Sequence, residues 1–407
     1  MRRRPIRPSL VLLVLFPSFA SAEAPAEKPG RFRAGPLWLT PRLEIRSAGY
    51  DSNVYNAQTG AISDPSFVVA PSLLAALPVG RRVRFEARGL LTWNWFEGEA
   101  SERSLDRDAG LRARLIFDRV ELDADVGWSQ AKQRFSLDLD ERLVHDDTRQ
   151  GIGGSLRLAR KLKLSASATW QSFDIEGPPE VQASLDHENQ TLGLEAGYDL
   201  TKRTQLVFRA ERLTDTFDRA LGSAGREANS GRYMGGFSFG TRAAITGRLL
   251  FGVREFPNDP AAAAPSYTGP ALDIGLGIPA GPFGQLRLQA EREVQYSATA
   301  GIDGGEPARN SYVTGRYRAE LQSALPFDLV SRGFVQWQTG NYQLPYLVDG
   351  VVADRDATLY VYGFSLLKVV SESLRIGGGY TWERRESTLP GDTYRSSRYG
   401  IQAEYVP

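Results

Sequence analysis

The sequence predicts an all-β chain, folded as a transmembrane antiparallel up-and-down β-barrel of 18 strands with short periplasmic turns and moderate extracellular loops. Three observations carry this. Apolar and polar residues alternate with a period of two over segments of about ten residues, the mark of a barrel strand in a membrane. Short turns alternate with longer polar loops along the chain. Six of the seven tryptophans gather towards one end of their strands.

The N-terminus comes first. Arg2, Arg3, Arg4 and Arg7 precede an apolar run from Leu10 to Phe16, and Ala20-Ser21-Ala22 follows. A basic leader, a short apolar segment and small residues make a secretory signal, with cleavage expected after Ala22. The run falls well short of the roughly 20 residues that a spanning helix needs. Residues 1–22 are therefore assigned to a signal peptide. Residues 23–36, with three prolines, form a short periplasmic tail, and residues 37–407 form the barrel.

Composition narrows the class. The chain carries 49 basic and 48 acidic residues, and without the four leader arginines the balance is 45 to 48, a net charge of −3. No half is strongly basic, which argues against nucleic acid as a partner. There is no cysteine, hence no disulfide, lipoprotein anchor or thiolate metal site. Charges interrupt every later apolar stretch, so none reads as a transmembrane helix.

Successive side chains of a strand point to opposite faces. Val83, Phe85, Ala87, Gly89, Leu91, Trp93 and Trp95 share one parity, and Arg82, Arg84, Glu86, Arg88, Thr92 and Asn94 share the other. Ala109 to Phe117 repeats the pattern, with Asp108, Gly110, Arg112 and Arg114 between the apolar positions. Val120 to Trp128 does the same against Glu121, Asp123, Asp125 and Gly127, and Leu374 to Trp382 against Arg375 to Glu383. Tight turns read near Val79-Gly80, Asp118-Arg119, Arg160-Lys161, Thr201-Lys202, Thr246-Gly247, Ala280-Gly281, Pro326-Phe327 and Ser371-Glu372. These turns divide the chain into nine up-and-down pairs, with both termini in the periplasm.

Trp93, Trp95, Trp128, Trp170, Trp337 and Trp382 sit late in strands that leave a short turn, whereas Trp38 sits at the other end. Amphipathic rings collect where lipid meets water, so these six are expected to form the outer-leaflet girdle. A second aromatic group, Trp337, Tyr342, Tyr346, Tyr360, Tyr362, Phe364, Tyr380 and Trp382, could face lipid or guide a solute. The strand from Thr358 to Leu367 is apolar on both parities and leaves its facing open.

The polar parity supplies the candidate lumen lining: Arg82, Arg84, Arg88, Arg112, Arg114, Glu121, Asp123, Asp125, Arg287, Glu291, Arg316 and Arg318, with Arg157, Arg209, Arg375, Glu86, Asp108, Glu195, Glu211, Glu293, Glu320 and Glu383 beside them. Charges of both signs can pair between neighbouring strands. They hydrate a pore without selecting one ion sign. An 18-stranded barrel encloses an aqueous channel. The predicted outer loops run to about 8 to 18 residues, and no plug domain precedes the first strand. The lumen is therefore expected to be either wide or closed by another protein.

Catalysis has little support. His145 and His187 are the only histidines, and both are expected in loops. Ser184, Asp186 and His187 are neighbours along the chain, which is not how triads form in space. No cofactor is called for, and no metal site has the required ligands, although Asp138, Asp140, Glu141, Asp146 and Asp147 make an acidic loop that could meet lipopolysaccharide through divalent ions.

The end of the chain, Arg398, Gly400, Ala403 and Tyr405, resembles the C-terminal signal read by the outer-membrane assembly machinery. Gly400, Ala403 and Tyr405 are its expected elements, and Val406-Pro407 extends beyond the usual terminal aromatic. The opening strand Arg42-Leu43-Glu44-Ile45, followed by Gly49-Tyr50-Asp51-Ser52-Asn53-Val54-Tyr55, resembles the start of a family of outer-membrane β-barrel porins, of the kind associated with exopolysaccharide or capsule export. The resemblance implies a bacterial outer-membrane channel, not an enzyme. It would act as a conduit for secreted polysaccharide with a periplasmic export protein as partner, amid outer-membrane lipid and lipopolysaccharide. A general diffusion porin, and a structural or adhesive barrel without an open pore, are the competing readings.

Overall fold

The structure is a computed structural model that describes residues 31–134, 142–177, 182, 185–217, 226–240, 243–256, 267–281, 284–296, 311–342, 346–348, 351–389 and 391–407. It is a closed antiparallel barrel of 18 strands. These are β1 (Leu37–Asp51), β2 (Asp64–Val79), β3 (Val83–Phe96), β4 (Ser104–Ile116), β5 (Val120–Gln133), β6 (Leu143–Ala159), β7 (Leu162–Glu176), β8 (His187–Asp199) and β9 (Thr204–Phe217) in the first half. The second half comprises β10 (Arg226–Phe239), β11 (Thr246–Phe256), β12 (Tyr267–Pro279), β13 (Gly284–Tyr296), β14 (Ser311–Leu325), β15 (Leu329–Tyr342), β16 (Asp356–Val369), β17 (Leu374–Ser387) and β18 (Tyr394–Tyr405). Each strand pairs with its chain neighbours, and β1 pairs with β18 to close the sheet. No helix among the described residues is long and apolar enough to cross a membrane.

Closure is what the bilayer demands. Hydrocarbon offers no hydrogen-bond partners, so a sheet can span it only without free edges. The alternating sequence then places its apolar parity outside. Leu111 is 60% exposed, Leu194 66% and Val335 59%, a surface that only lipid would cover comfortably.

The eight short turns fall where expected except one. Thr246-Gly247 is not a turn: the connection spans residues 240–245, and Thr246 already pairs with Gly277 on β12. Gly247 has φ +109, and a Cβ there would lie 1.9 Å from the Gly275 carbonyl oxygen. The glycine serves a close approach of two backbones, which a sequence reader takes for a turn. At Phe327 and Asp328 the opposite holds, since two consecutive non-glycine residues take φ of 64 and 53. Lys368 steadies that turn through Asp328 and the Phe327 carbonyl.

The end of the N-terminal tail is ordered onto the barrel. Phe32–Ala34 forms a short hairpin with Leu37–Leu39. Arg31 donates to Ser373 Oγ, to the Glu372 carbonyl and to the Val406 carbonyl, tying the tail to the β16–β17 turn and the chain's end. The signal peptide and the rest of the tail lie outside the described residues.

The expected assembly-signal residues all stand on the closing strand. Gly400 is opposite Gly49, Ala403 opposite Ile45 and Tyr405 opposite Leu43. A Cβ on Gly49 would lie 1.8 Å from the Tyr399 carbonyl oxygen, so the seam closes only over glycine. Tyr405, Ile401 and Tyr399 are exposed on the outer face. Deleting Tyr405 to Pro407 is expected to abolish outer-membrane insertion, because it removes the pairs to both Leu43 and Leu374. Deleting Val406-Pro407 alone removes one backbone bond to Ser373 and the Arg31 acceptor, and should lower only the temperature of heat-modifiable migration. Equal membrane levels of the two truncations would refute this role.

Candidate functional site: the lumen and its loop-side mouth

The lumen face identifies itself by ion pairs that jump strands. Arg209 on β9 reaches Asp273 on β12 at 3.6 Å, and Arg232 on β10 reaches Glu293 on β13 at 3.2 Å. Neighbouring strands lie about 4.8 Å apart, so residues three strands apart along the wall meet only on its concave side. Around these two contacts a network closes. Glu195 accepts from Arg209 at 2.7 Å, Arg248 meets Asp273 at 2.8 Å, and Glu211 accepts from Arg232 at 2.6 Å. Beneath it Val207, Met234, Leu250 and Ala271, on the same parities, pack into a buried apolar patch. This arc of wall is therefore thick, with an apolar layer and a charged layer inside the sheet.

Every candidate lining residue lies on this parity or at its short-turn edge. Arg84 stands opposite Arg114, Arg112 opposite both Glu86 and Asp125, and Arg114 opposite Asp123. Arg114 also pairs with Glu121 at 3.6 Å, and Arg88 with Asp108 at 3.5 Å. Arg287 is opposite Glu320, and Glu291 is opposite Arg316 and Asp273. Arg318 pairs with Glu320 at 2.9 Å and lies over the Phe334 ring. Arg82 sits in the β2–β3 turn near the Phe117 ring. Arg232, Arg248 and Asp273 were not among the sequence candidates. Arg232 lies in a glycine-rich strand, Arg248 follows the misplaced turn, and Asp273 interrupts a strand that is apolar on both parities.

The six girdle tryptophans share the parity of Leu111 and Val335. Trp93, Trp170 and Trp337 are exposed, while Trp95, Trp128 and Trp382 are half-buried. Trp337 stacks on Tyr317 and Trp382 on Tyr362. The open question on β16 has an answer in its register. Tyr360, Tyr362 and Phe364 are exposed beside Val335, on the outer face. Tyr342 instead stacks on Tyr312, which is buried, at the loop end. The side chain of Tyr346 lies outside the described residues.

The loop end departs most from expectation. The first loop enters the barrel. Asp51, Asn53, Val54 and Asn56 are at most 2% exposed. The Asp51 carboxylate accepts from Arg398 Nε at 2.7 Å, Ser396 Oγ at 3.1 Å and the Asn53 amide at 3.0 Å. The Asn53 side chain donates to the carbonyls of Ala57 and Arg395 and accepts from the Ala57 amide. Asn56 takes a left-handed conformation with φ 55, which asparagine tolerates better than most residues. The loop is thus locked to β18 at its root. One residue on from Asn53, the Val54 carbonyl accepts from Arg134 and Arg142, at the ends of β5 and β6, at 3.1 and 3.4 Å. Those strands stand four and five positions from β1, on the order of 20 Å along the wall. The loop root and the two arginine side chains together therefore span that part of the mouth.

The second loop supports it. Asp64 caps the Gly98 and Glu99 amides. Tyr55 donates to Glu99 at 2.5 Å, a bond that raises the phenol pKa. Glu102, buried, pairs with Lys132 at 3.3 Å and Arg142 at 3.4 Å. Burial, with Arg134 and Arg398 nearby, pulls Arg142 down to about 10, so it still carries its charge at neutral pH. The first loop and its arginine anchors thus occupy part of the mouth of a lumen expected to be either wide or closed by another protein.

The histidines are also corrected. His145 lies within β6, buried, its Nδ1 2.8 Å from Asp147 and its Nε2 2.9 Å from Gln133 Nε2. His187 opens β8 and stacks between Phe173 and Phe217. Asp186 accepts from the Ile175 amide, and Ser184 lies outside the described residues. The acidic stretch divides: Asp146 and Asp147 belong to β6, and Asp138, Asp140 and Glu141 lie outside the described residues.

Comparison with known proteins adds the following. A family model described as "Putative beta-barrel porin 2" matches residues 25–404. No curated protein matches the chain. Among solved structures, the outer membrane protein OpdK from Pseudomonas aeruginosa is similar at 12% identity and TM-score 0.46, over 91% of this chain and 98% of that one. The siderophore receptor PirA from the same organism is similar at 10% identity and TM-score 0.46, over 91% of this chain and 80% of that one.

Proposed function

This chain belongs to the beta-barrel porin 2 family, a bacterial outer-membrane barrel, and from that premise we propose a narrow channel for small hydrophilic solutes whose aperture is set by its own first loop. The observation that carries the reading is the burial of Asp51, Asn53, Val54 and Asn56 in the mouth, bonded to β18 on one side and reached by the Arg134 and Arg142 side chains from the other. The lining below supports a polar cargo. Paired charges of both signs give a solute many weak contacts and no deep trap, and a conducting pore needs binding loose enough for release. The resident partners are lipid, lipopolysaccharide and the assembly machinery that inserts the barrel.

A second reading keeps the lumen's balanced, distributed charge and assigns it to a secreted polysaccharide. It requires that a periplasmic export protein displace the first loop, since an emerging chain would meet that loop. A clean deletion strain separates the two. The channel reading expects slower uptake of small hydrophilic nutrients with normal surface polysaccharide. Lost surface polysaccharide with unchanged synthesis and unchanged uptake would overturn it in favour of export.

A further inference from the structure

The wall divides at the loop end between β12 and β13. Their ladder runs only from Pro279–Gln285 to Leu272–Arg292. Above it, Tyr267 to Ala271 of β12 pair with β11 alone, and Glu293 to Tyr296 of β13 pair with β14 alone. Pro270 lies in the freed stretch of β12, and proline, lacking a donor, belongs at such an edge. The two edges overlap. Val294 and Val313 carry the outward parity of β13 and β14, yet they pack against Phe256, which carries the inward parity of β11, with Tyr267 beside them. The described loop-side ends of β13 and β14 therefore lie inside those of β11 and β12, and Arg232–Glu293 draws β13 inward. Tyr312, Val313 and Thr314 are buried on both parities, as a strand inside the lumen must be.

The outer face is hollowed here as well. Immediately below the split lies an apolar groove of about 610 Å³, floored by Ala290 and Ala319 and walled by Ile274, Leu288, Trp337 and Tyr360. At its upper end, in the last pair of the ladder, is Arg292 on the same outward parity. Its Nε is buried without a hydrogen-bond partner among the described residues. Arg292 stands loopward of the girdle residue Trp337, at the level of the headgroups, where an anionic headgroup would satisfy it.

We infer that the β12–β13 split is a lateral portal between lumen and outer leaflet, and that it takes an amphiphile with one acyl chain and one anionic headgroup. The chain lies in the groove, the headgroup meets Arg292, and the overlapped edges at Phe256, Tyr267, Val294 and Val313 part for passage. This route is separate from the axial one proposed above and goes beyond it.

The absence of cysteine makes the portal testable by cross-linking. A Phe256→Cys/Val294→Cys variant, oxidised, is expected to block uptake of fluorescent palmitate by expressing cells while leaving ion conductance unchanged. Reduction should restore uptake, which excludes a folding defect. In nanodiscs, bromine-labelled palmitate and lysophosphatidylglycerol should each quench tryptophan fluorescence saturably, less so in Trp337→Phe, and Arg292→Gln should weaken both at least tenfold while leaving the labelled palmitate methyl ester unaffected. Uptake that is indifferent to cross-linking would overturn the portal even if binding holds, leaving a site for resident lipid. Equal binding by wild type and Arg292→Gln would overturn the headgroup assignment.

Discussion

Replacing Ser52 to Ser63 with Asn-Gly is expected to raise single-channel conductance severalfold. Asp51 and Asp64 are directly opposed in the β1–β2 ladder, so a two-residue turn joins them without strain in the register. The excision removes Asn53, Val54 and Asn56 from the mouth and leaves Asp64 free to cap the second loop as before. Arg134 and Arg142 lose the Val54 carbonyl and turn towards water, which costs little at a hydrated surface. A milder version is Asp51→Ala. It removes the acceptor of three bonds, including the charged one from Arg398, and breaking such buried contacts costs about 1–3 kcal/mol each. The loop should then come and go, seen as flicker between a small and a large conductance. Unchanged conductance in the excised variant, with normal heat-modifiable migration, would show that the loop does not set the aperture.

The second large effect concerns assembly. Leu111→Arg should strongly reduce the folded protein in the outer membrane, since arginine at mid-bilayer on the outer face costs about 2–4 kcal/mol. Leu111 is 60% exposed there and faces Ala87 and Val126 on the neighbouring strands, neither of which can receive the charge. Arg112→Leu, one residue on and facing the lumen, should be tolerated, because Glu86 and Asp125 stay hydrated when their partner is lost. Comparable membrane yields for the two variants would refute the assigned facing of β4.

The barrel itself was legible because each residue's side is decided by a single local rule, alternation, repeated along strands long enough to average out exceptions. Leu111 and Arg112 announce their faces without reference to any other strand. The strand count followed from turns, which are also local, and only Gly247 deceived, because a glycine serving a close approach looks like one serving a turn. The mouth was not legible in the same way. Asp51, Asn53 and Val54 belong to a stretch that resembles the start of a porin family, but their partners are Arg134, Arg142, Ser396 and Arg398, eighty or more residues further along the chain. Nothing within the stretch says that it points inward. The split between β12 and β13 was hidden for a related reason. Val294 and Val313 obey the alternation, and only the register shows that what they face is Phe256 rather than lipid. Arg232 and Arg248 escaped because the glycines before them dilute the period that decides facing, and Asp273 because its strand is apolar on both parities.

The strand-jumping ion pairs have a mechanical meaning. A bond between adjacent strands, such as Arg114–Glu121 or Arg149–Asp125, resists sliding of one strand on the next and does little against bending of the sheet. A bond from β9 to β12, or from β10 to β13, is a cross-tie over an arc and holds that arc's curvature. Stiffness around the circumference is therefore unequal. Under lateral pressure from the bilayer, the arc from β9 to β13 should keep its shape at mid-wall while arcs held there only by adjacent-strand pairs flex, so the cross-section breathes as an ellipse with a fixed axis. High salt, which weakens ion pairs wherever water reaches them, should make that breathing larger and less directional.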